Sequence, residues 1–235
     1  MQNAASVPMI PRPAATVMLL RPASDGISVY MTRRSSRSRF MPDAYVFPGG
    51  AVDAADGEPP AAFSVAALRE LFEEAGVLLA CDAAGIPAAL DAGVLTTLRS
   101  EAAGGALLTA LLEQRGLRLD LGALTYYSNW ITPQNEPIRF DAHFFVARAP
   151  EGQIAAADAI EVHDGRWIVA ADALARADRG ELTIRFPTRK HLERIARYRD
   201  VDAFLAHARE RAIAAVMPYE DGTGDHGLPG GSDGW

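Results

Sequence analysis

Three glutamates and an arginine lie close together in the segment RELFEEAGV, residues 69–77. In a helix, Glu70, Glu73 and Glu74 are spaced i, i+3 and i+4, so they share one face and are expected to converge. Like charges at this spacing destabilise an isolated helix by about 0.2–0.5 kcal/mol per pair, so an opposite charge is expected nearby. Arg69 can neutralise one carboxylate. A divalent cation can neutralise more, because Mg²⁺ prefers oxygen ligands such as carboxylates.

A helix over about 61–75 is required to place these acids. Leu68, Leu71, Phe72 and Ala75 recur at i, i+3, i+4 and i+7, which predicts an amphipathic helix whose apolar stripe lies opposite the glutamates. Gly76 is expected to end it. A solvated acidic face is the ordinary interpretation of such a helix when it is considered alone.

The segment before the helix favours a metal site over a solvated face. A short strand over 45–47 is predicted to end at Pro48, Gly49 and Gly50, where the glycines allow tight backbone bends and expose carbonyl oxygens. Asp53 and Asp56 then add two carboxylates before the helix. A surface helix has no need of such an arrangement.

Residues 69–77 fit the pattern R-E-apolar-x-E-E-x-G-apolar at every fixed position, and the chain therefore resembles the Nudix hydrolases. The first half of the motif departs from the family. Asp56 stands where the family has a glutamate, and twelve residues separate it from Arg69 where the standard motif has seven. We interpret residues 57–64 as a loop inserted before the helix.

The resemblance implies hydrolysis of a nucleoside diphosphate linked to another moiety, by water and with Mg²⁺ or Mn²⁺. It implies that Glu73 and Glu74 are the principal metal ligands and that Glu70 is a further ligand or orients water. The Gly49 carbonyl would complete the ligand set, and Arg69 would orient the glutamates by a charge-assisted hydrogen bond.

A general base is also expected, because the attacking water must lose a proton. Family members often recruit such a base from a loop beyond the helix. Glu161 is our candidate, followed by Glu136 and Glu151.

The arginine-rich loop before the motif reads YMTRRSSRSRFMPDAYVFPGG and resembles the coenzyme A diphosphatase branch of the family. Arg34 and Arg39 match that branch at the expected spacing, whereas Asp43 and Tyr45 depart from it. Arginine binds phosphate through two parallel hydrogen bonds, so the loop is a candidate phosphate clamp; the alternative is a solvated basic loop. The residues expected to bind substrate are Arg33, Arg34, Arg39 and Gly50.

The favoured substrate is coenzyme A or an acyl derivative, cleaved to phosphopantetheine and an adenosine bisphosphate. Hydrolysis of NADH, ADP-ribose or dinucleoside polyphosphates is the alternative within the same chemistry. A non-catalytic domain that senses a nucleotide or binds a partner is the alternative outside it, because a fold can be retained while its chemistry is lost.

The rest of the chain predicts an α/β fold, and the resemblance implies an α/β/α sandwich with a mixed sheet. Strands over 15–20 and 27–32 are predicted to form a hairpin, and strands within 124–133 and 138–149 are predicted to pair. A helical insertion over about 87–115 is expected either to line the substrate pocket or to form a dimer contact. We predict a single domain over 1–217, with C-terminal helices, and a flexible tail over 218–235.

Composition limits the partners. The net charge of −7 disfavours binding to nucleic acid through its phosphates, so a small nucleotide is the expected partner. No apolar stretch approaches the about 18 residues of a membrane span, and Cys81 is the single cysteine, so a cytoplasmic protein is expected. The five histidines show no ligand spacing and are predicted to lie in packing or surface positions. A homodimer is left open.

Overall fold

The computed structural model describes residues 9–38, 41–158, 162–220, 226–231 and 235. Eight strands within these residues form one mixed sheet. They are β1 Arg12–Ala23, β2 Gly26–Arg34, β3 Tyr45–Val46, β4 Gly49–Ala51, β7 Thr125–Ile131, β8 Phe140–Arg148, β9 Val162–Val169 and β10 Ala215–Val216. The order is β10-β7-β8-β1-β2-β3, with β4 also paired to β1 and β9 to β2.

Strand β1 is the centre of the sheet, and helices cover both of its faces. Ala15, Val17 and Leu19 belong to the core on one face, whereas Met18 and Leu20 belong to the core on the other. Burial on both faces explains why the strand reads as a continuous apolar run. The predicted hairpin of β1 and β2 is confirmed, and both strands are longer than predicted.

Within the described residues, six α-helices lie on the two faces. Those packed against one face are α1 Ala61–Ala75, α2 Ala92–Ala103 and α3 Leu108–Glu113, and the pair of short strands β5 Ala80–Asp82 and β6 Leu117–Leu119 lies with them. Those on the other face are α4 Ala170–Asp178, α5 Phe186–Ile195 and α6 Val201–Glu210. The arrangement is the predicted α/β sandwich.

Helix α1 has the predicted bounds and ends at Gly76, whose φ of 69° is readily adopted by glycine. Its apolar stripe is buried as predicted. The loop expected over 57–64 is shorter, because Ala61 already begins the helix. The predicted helical insertion contains two helices, α2 and α3.

The two glycines of the motif lie in a strand rather than in the expected bend. Gly49 pairs with Thr16 and Gly50 with Ala15, so β4 continues the sheet beside β1. A Cβ on Gly49 would lie 2.5 Å from the carbonyl oxygen of Ala15. The glycine is therefore needed for a close approach of two backbones.

The described part of the C-terminal segment contains a pair of short strands and a buried indole, and its flexibility stays a prediction. Strand β11, Tyr219–Glu220, pairs with β12, His226–Gly227. The indole of Trp235 is buried in the core that also contains Trp130. Residues 221–225 and 232–234 lie outside the described residues. Apolar and aromatic contacts hold the rest of the segment against the sheet.

Within the described ranges, no helix has both the length and the apolar character that a bilayer span requires. Cys81, the single cysteine, lies buried in β5. The prediction that the histidines lie in packing or surface positions is confirmed for His191, which is fully buried.

His191 forms a neutral hydrogen-bonded pair in the core beneath α5. Its Nδ1–H donates to the Pro187 carbonyl at 2.6 Å, so Nε2 accepts from the Ser128 hydroxyl at 2.7 Å. Burial lowers the pKa of His191 to about 3, although the bond to Pro187 opposes that shift. The ring is therefore neutral at physiological pH.

This pair predicts a pH dependence of stability. The unfolded chain protonates His191 below about pH 6.5, whereas the folded chain does not until about pH 3, so stability falls as pH is lowered. The loss approaches about 1.4 kcal/mol per pH unit for one histidine. We expect the free energy of unfolding, measured in urea between pH 7 and pH 5, to fall less steeply in His191→Gln than in wild type. An equal dependence of stability on pH in the two proteins would contradict a neutral buried His191. The variant keeps a smaller dependence, because the pKa values of His143 and His207 are also lowered.

Candidate functional site

Arg69 is the centre of a network of acids at the start of the glutamate face. Its Nε and one Nη donate to both carboxylate oxygens of Asp56 at 2.9 Å. The other Nη donates to Glu70 at 2.8 Å and to Glu73 at 3.2 Å. A further bond to the Ala51 carbonyl, at 2.9 Å, ties the guanidinium to β4. One side chain thus joins the strand, the helix and the segment between them.

Asp56 is the principal partner of Arg69, a role that the sequence did not reveal. It lies in a 3-10 turn, and its carboxylate also accepts from the backbone N–H of Asp53 at 2.8 Å. Its side chain is only 2% exposed. Burial by itself lowers the pKa of Arg69, but the bonds and charges of Asp56 and Glu70 outweigh burial and raise that pKa above its usual range. The guanidinium therefore stays charged.

Two of the three glutamates of α1 converge on one guanidinium, and the third turns to the sheet. Glu70 and Glu73 turn toward Arg69, and the side chain of Glu73 is 41% exposed. Glu74 is buried and points to the sheet, where the backbone N–H of Gly49 donates to it at 3.0 Å. Glu70 and Glu73 therefore share one guanidinium, whereas Glu74 accepts from the backbone of β4.

Gly50 lies directly against the side chain of Glu70, and this close approach favours a residue without a Cβ. A Cβ at this position would lie 2.4 Å from Oε1 of Glu70, closer than real contacts allow. The backbone of β4 and the carboxylate of α1 are therefore in direct contact. This contact brings the two halves of the motif together.

The site has the donor chemistry of a divalent cation site. Asp53, Asp56, Glu70 and Glu73 lie within 3.8 Å of the single guanidinium of Arg69, so negative charge is in excess. Their oxygens are the ligands that Mg²⁺ and Mn²⁺ prefer. In the part of the chain that the structure describes, no three His, Cys, Asp or Glu side chains are grouped closely enough to hold a metal ion. The carboxylates surround Arg69 instead, and the metal ligands remain predictions.

Two of the predicted substrate arginines, Arg33 and Arg34, lie at the end of β2. Arg33 donates to Asp43 at 2.7 Å, and Arg34 donates to Ser38 at 2.9 Å. Arg39 lies outside the described residues. The phosphate clamp therefore stays a prediction for all three.

Of the candidate bases, Glu161 lies outside the described residues, and Glu136 and Glu151 are exposed. The 149–158 segment, which precedes Glu161 in the sequence, runs beside the end of α1, since the Ala156 N–H donates to the Ala75 carbonyl at 2.9 Å. The general base stays a prediction.

One residue of the insertion also reaches α1. Arg99 of α2 donates to the main-chain carbonyl of Glu73, a contact between distant parts of the chain that no sequence motif indicates.

The aromatic residues of β7 are mainly core, because Tyr127 and Trp130 are buried, whereas Tyr126 is half-buried and stacks on His143.

Comparison with known families locates two matches. The NUDT19 Nudix domain matches residues 58–195, and the NUDIX domain matches residues 10–90. Together they cover residues 10–195, which include β4, α1 and the strands of the sheet other than β10.

Individual relatives agree with these matches. A Caenorhabditis elegans protein whose name places it among the nudix hydrolases is 29% identical over 174 residues, which cover 74% of this chain and 57% of that protein. The Gallus gallus acyl-coenzyme A diphosphatase NUDT19 is 27% identical over 77% of this chain and 64% of its own length. The chain thus spans about three-fifths of the length of these curated relatives.

A solved structure is similar over nearly its whole length. The NUDIX hydrolase from Alicyclobacillus acidocaldarius superposes with a TM-score of 0.74 at 29% identity, covering 84% of this chain and 96% of that one. The common fold includes the sandwich described above.

The buried pair of Arg69 and Asp56 generates a stability prediction. Removing one partner of a buried ion pair lowers the free energy of unfolding by about 3–5 kcal/mol. For Asp56→Asn we expect a loss of about 3 kcal/mol, because Glu70 and Glu73 still pair with Arg69. The control is Asp43→Asn, whose partner Arg33 is about half exposed, so that the loss stays below about 1 kcal/mol. Urea unfolding measures both values. Equal losses in the two variants would contradict the central role of Asp56.

Proposed function

This chain belongs to the Nudix hydrolase family, since the match to the NUDT19 Nudix domain covers more than half of it, and from that premise we propose that it is a metal-dependent pyrophosphohydrolase. The favoured substrate is coenzyme A or an acyl-coenzyme A. Water adds to one phosphorus of the diphosphate and the P–O–P bridge breaks, giving phosphopantetheine, or its acyl form, and an adenosine bisphosphate.

The observation that carries this proposal is the excess of carboxylates around Arg69, at the point where β4 touches α1. Nudix hydrolases generally use divalent ions, which neutralise the diphosphate and promote attack by water. We propose that Glu70, Glu73 and Glu74 hold the ion, with the Gly49 carbonyl as a further ligand. The contacts of these acids with Arg69 and with the N–H of Gly49 support the proposal, because they hold the carboxylates beside β4.

The residues that touch these acids have supporting roles. Arg69 limits the freedom of Glu70 and Glu73, because one Nη binds both carboxylates. The N–H of Gly49 holds Glu74 near the sheet. Orienting groups of this kind typically change metal affinity or activity by about 10–100-fold when they are lost. We assign water activation to Glu161, with Glu136 and Glu151 as the alternatives.

The preference for coenzyme A has two supports. One relative is named an acyl-coenzyme A diphosphatase, although at 27% identity. The other is the position of Arg33 and Arg34 at the end of β2. The neighbouring strand, β3, leads through Pro48 into β4, which contains Gly49 and Gly50. We propose that Arg33, Arg34 and Arg39 bind substrate phosphates. Binding by Arg33 would require its exposed pair with Asp43 to open, and such pairs are weak.

A substrate panel tests the proposal. Purified protein is incubated with Mg²⁺ or Mn²⁺ and with coenzyme A, an acyl-coenzyme A, NADH, ADP-ribose and diadenosine tetraphosphate, and products are resolved by chromatography. We expect the highest kcat/KM with a coenzyme A substrate and loss of turnover with a chelator. Glu73→Gln should lower kcat by more than the about 100-fold caused by loss of an orienting group.

Glu113→Gln is the matched control, because Glu113 is an exposed residue at the C-terminal end of α3. It should retain wild-type kcat. Faster cleavage of NADH, ADP-ribose or the dinucleotide would reject the coenzyme A assignment but keep the reaction class. Nucleotide binding without turnover of any substrate would reject the enzyme and favour a non-catalytic sensor.

A further inference from the structure

The insertion that contains α2 and α3 contacts helix α1 through Arg99. We call α1 the acid helix, because it carries Glu70, Glu73 and Glu74. The Nε and one Nη of Arg99 donate to the main-chain carbonyl of Glu73 at 3.1 and 2.6 Å. The other Nη donates to the main-chain carbonyl of Ala156 at 3.0 Å. One guanidinium therefore joins the insertion, the last turn of α1 and the 149–158 segment.

The carbonyl of Glu73 needs a partner from outside the helix. The last four carbonyls of a helix lack intrahelical donors, and the C-terminal end of the helix dipole favours a positive charge. Arg99 supplies both the donors and the charge. The glycine that ends α1 leaves space for it, because a Cβ on Gly76 would lie 2.9 Å from an Nη of Arg99.

The 149–158 segment is bound to the same end of α1 by further contacts. The Ala156 N–H donates to the Ala75 carbonyl at 2.9 Å. The Gln153 side chain accepts from the Leu78 N–H and donates to the Leu78 carbonyl, each at 2.7 Å. This segment precedes Glu161, the candidate base, in the sequence. Arg99 lies where the acid helix and this segment meet.

Glu73 is thus held at two points by two arginines. Arg69 binds its carboxylate, and Arg99 binds its main-chain carbonyl. A side chain keeps its position only if the backbone that carries it is also held. The contact with Arg99 therefore bears on the direction of the carboxylate as well as on the end of the helix.

We propose that Arg99 is a positioning residue, through which the insertion holds the last turn of α1 against the 149–158 segment and so orients Glu73 and Glu74. This inference rests on the proposed function for the part that concerns catalysis. It assigns the insertion a role other than the pocket lining and the dimer contact considered from the sequence. Arg99 itself is not assigned any contact with substrate or metal.

Arg99→Ala and Arg99→Lys test the proposal, with Arg115→Ala as the control. Arg115 belongs to the same insertion, but its bonds go to the Leu111 carbonyl at 2.8 Å and to Glu101 at 3.5 Å, not to α1. Its loss removes the same charge without touching the acid helix. A lysine cannot reproduce the planar fork of donors, so Arg99→Lys should lie between wild type and Arg99→Ala.

The first measurement is hydrogen–deuterium exchange by mass spectrometry, which needs neither metal nor substrate. In Arg99→Ala we expect exchange to become about tenfold faster in two segments only, 74–79 and 149–158, because local opening of those segments becomes easier. Arg115→Ala should leave both segments at the wild-type rate. Unchanged exchange in Arg99→Ala, or a uniform increase that Arg115→Ala also shows, would overturn the proposal.

The second measurement is steady-state kinetics on the best substrate of the panel. We expect kcat of Arg99→Ala to fall about 10–100-fold and the half-saturating Mg²⁺ concentration to rise, with KM changed by less than about 2-fold. Wild-type kcat in a variant with faster local exchange would overturn the positioning role. If wild type itself turned over no substrate, the proposed function would fail, whereas the exchange comparison would still decide whether Arg99 holds the two segments.

Discussion

The site depends on one positive charge that is held among an excess of carboxylates. Arg69 contacts Asp56, Glu70 and Glu73 and also binds the Ala51 carbonyl of β4, so it ties the strand and the helix together. Clustered carboxylates repel each other, and a single guanidinium cannot balance them all. Arg69 offsets part of this repulsion, and negative charge stays in excess around it.

Close approach of backbones is the second constraint. Gly49 and Gly50 lie in a strand where any side chain would meet either β1 or Glu70. Strand β1 in turn is held in place by cores on both of its faces, so the position of the glycines is set by the whole sheet. The acids are therefore placed by a rigid strand on one side and by an anchored helix on the other. Precise placement of this kind favours orientation of a charged substrate.

Positions far from the acids support the same helix. The insertion contacts the end of α1 through Arg99, and the 149–158 segment is bound beside it. On the opposite face of the sheet, His191 and Trp235 fill the core with a neutral ring and an indole in contact. The neutral state of His191 avoids an unpaired buried charge. The lengthened motif therefore sits on a scaffold that is closed on both faces.

Local sequence determined the elements. The spacing of Leu68, Leu71 and Phe72 and the stop at Gly76 sufficed for the bounds of α1, and turn residues sufficed for the hairpin, because these signals act within a few residues. The residue types of RELFEEAGV were also sufficient to indicate the family. Only the tertiary structure decided that Asp56 pairs with Arg69, that the glycines belong to the sheet, that Glu74 turns inward and that Arg99 and Trp235 are structural contacts. Each of these depends on residues separated by a dozen or more positions, whose meeting is set by how the sheet and helices pack and not by any local pattern.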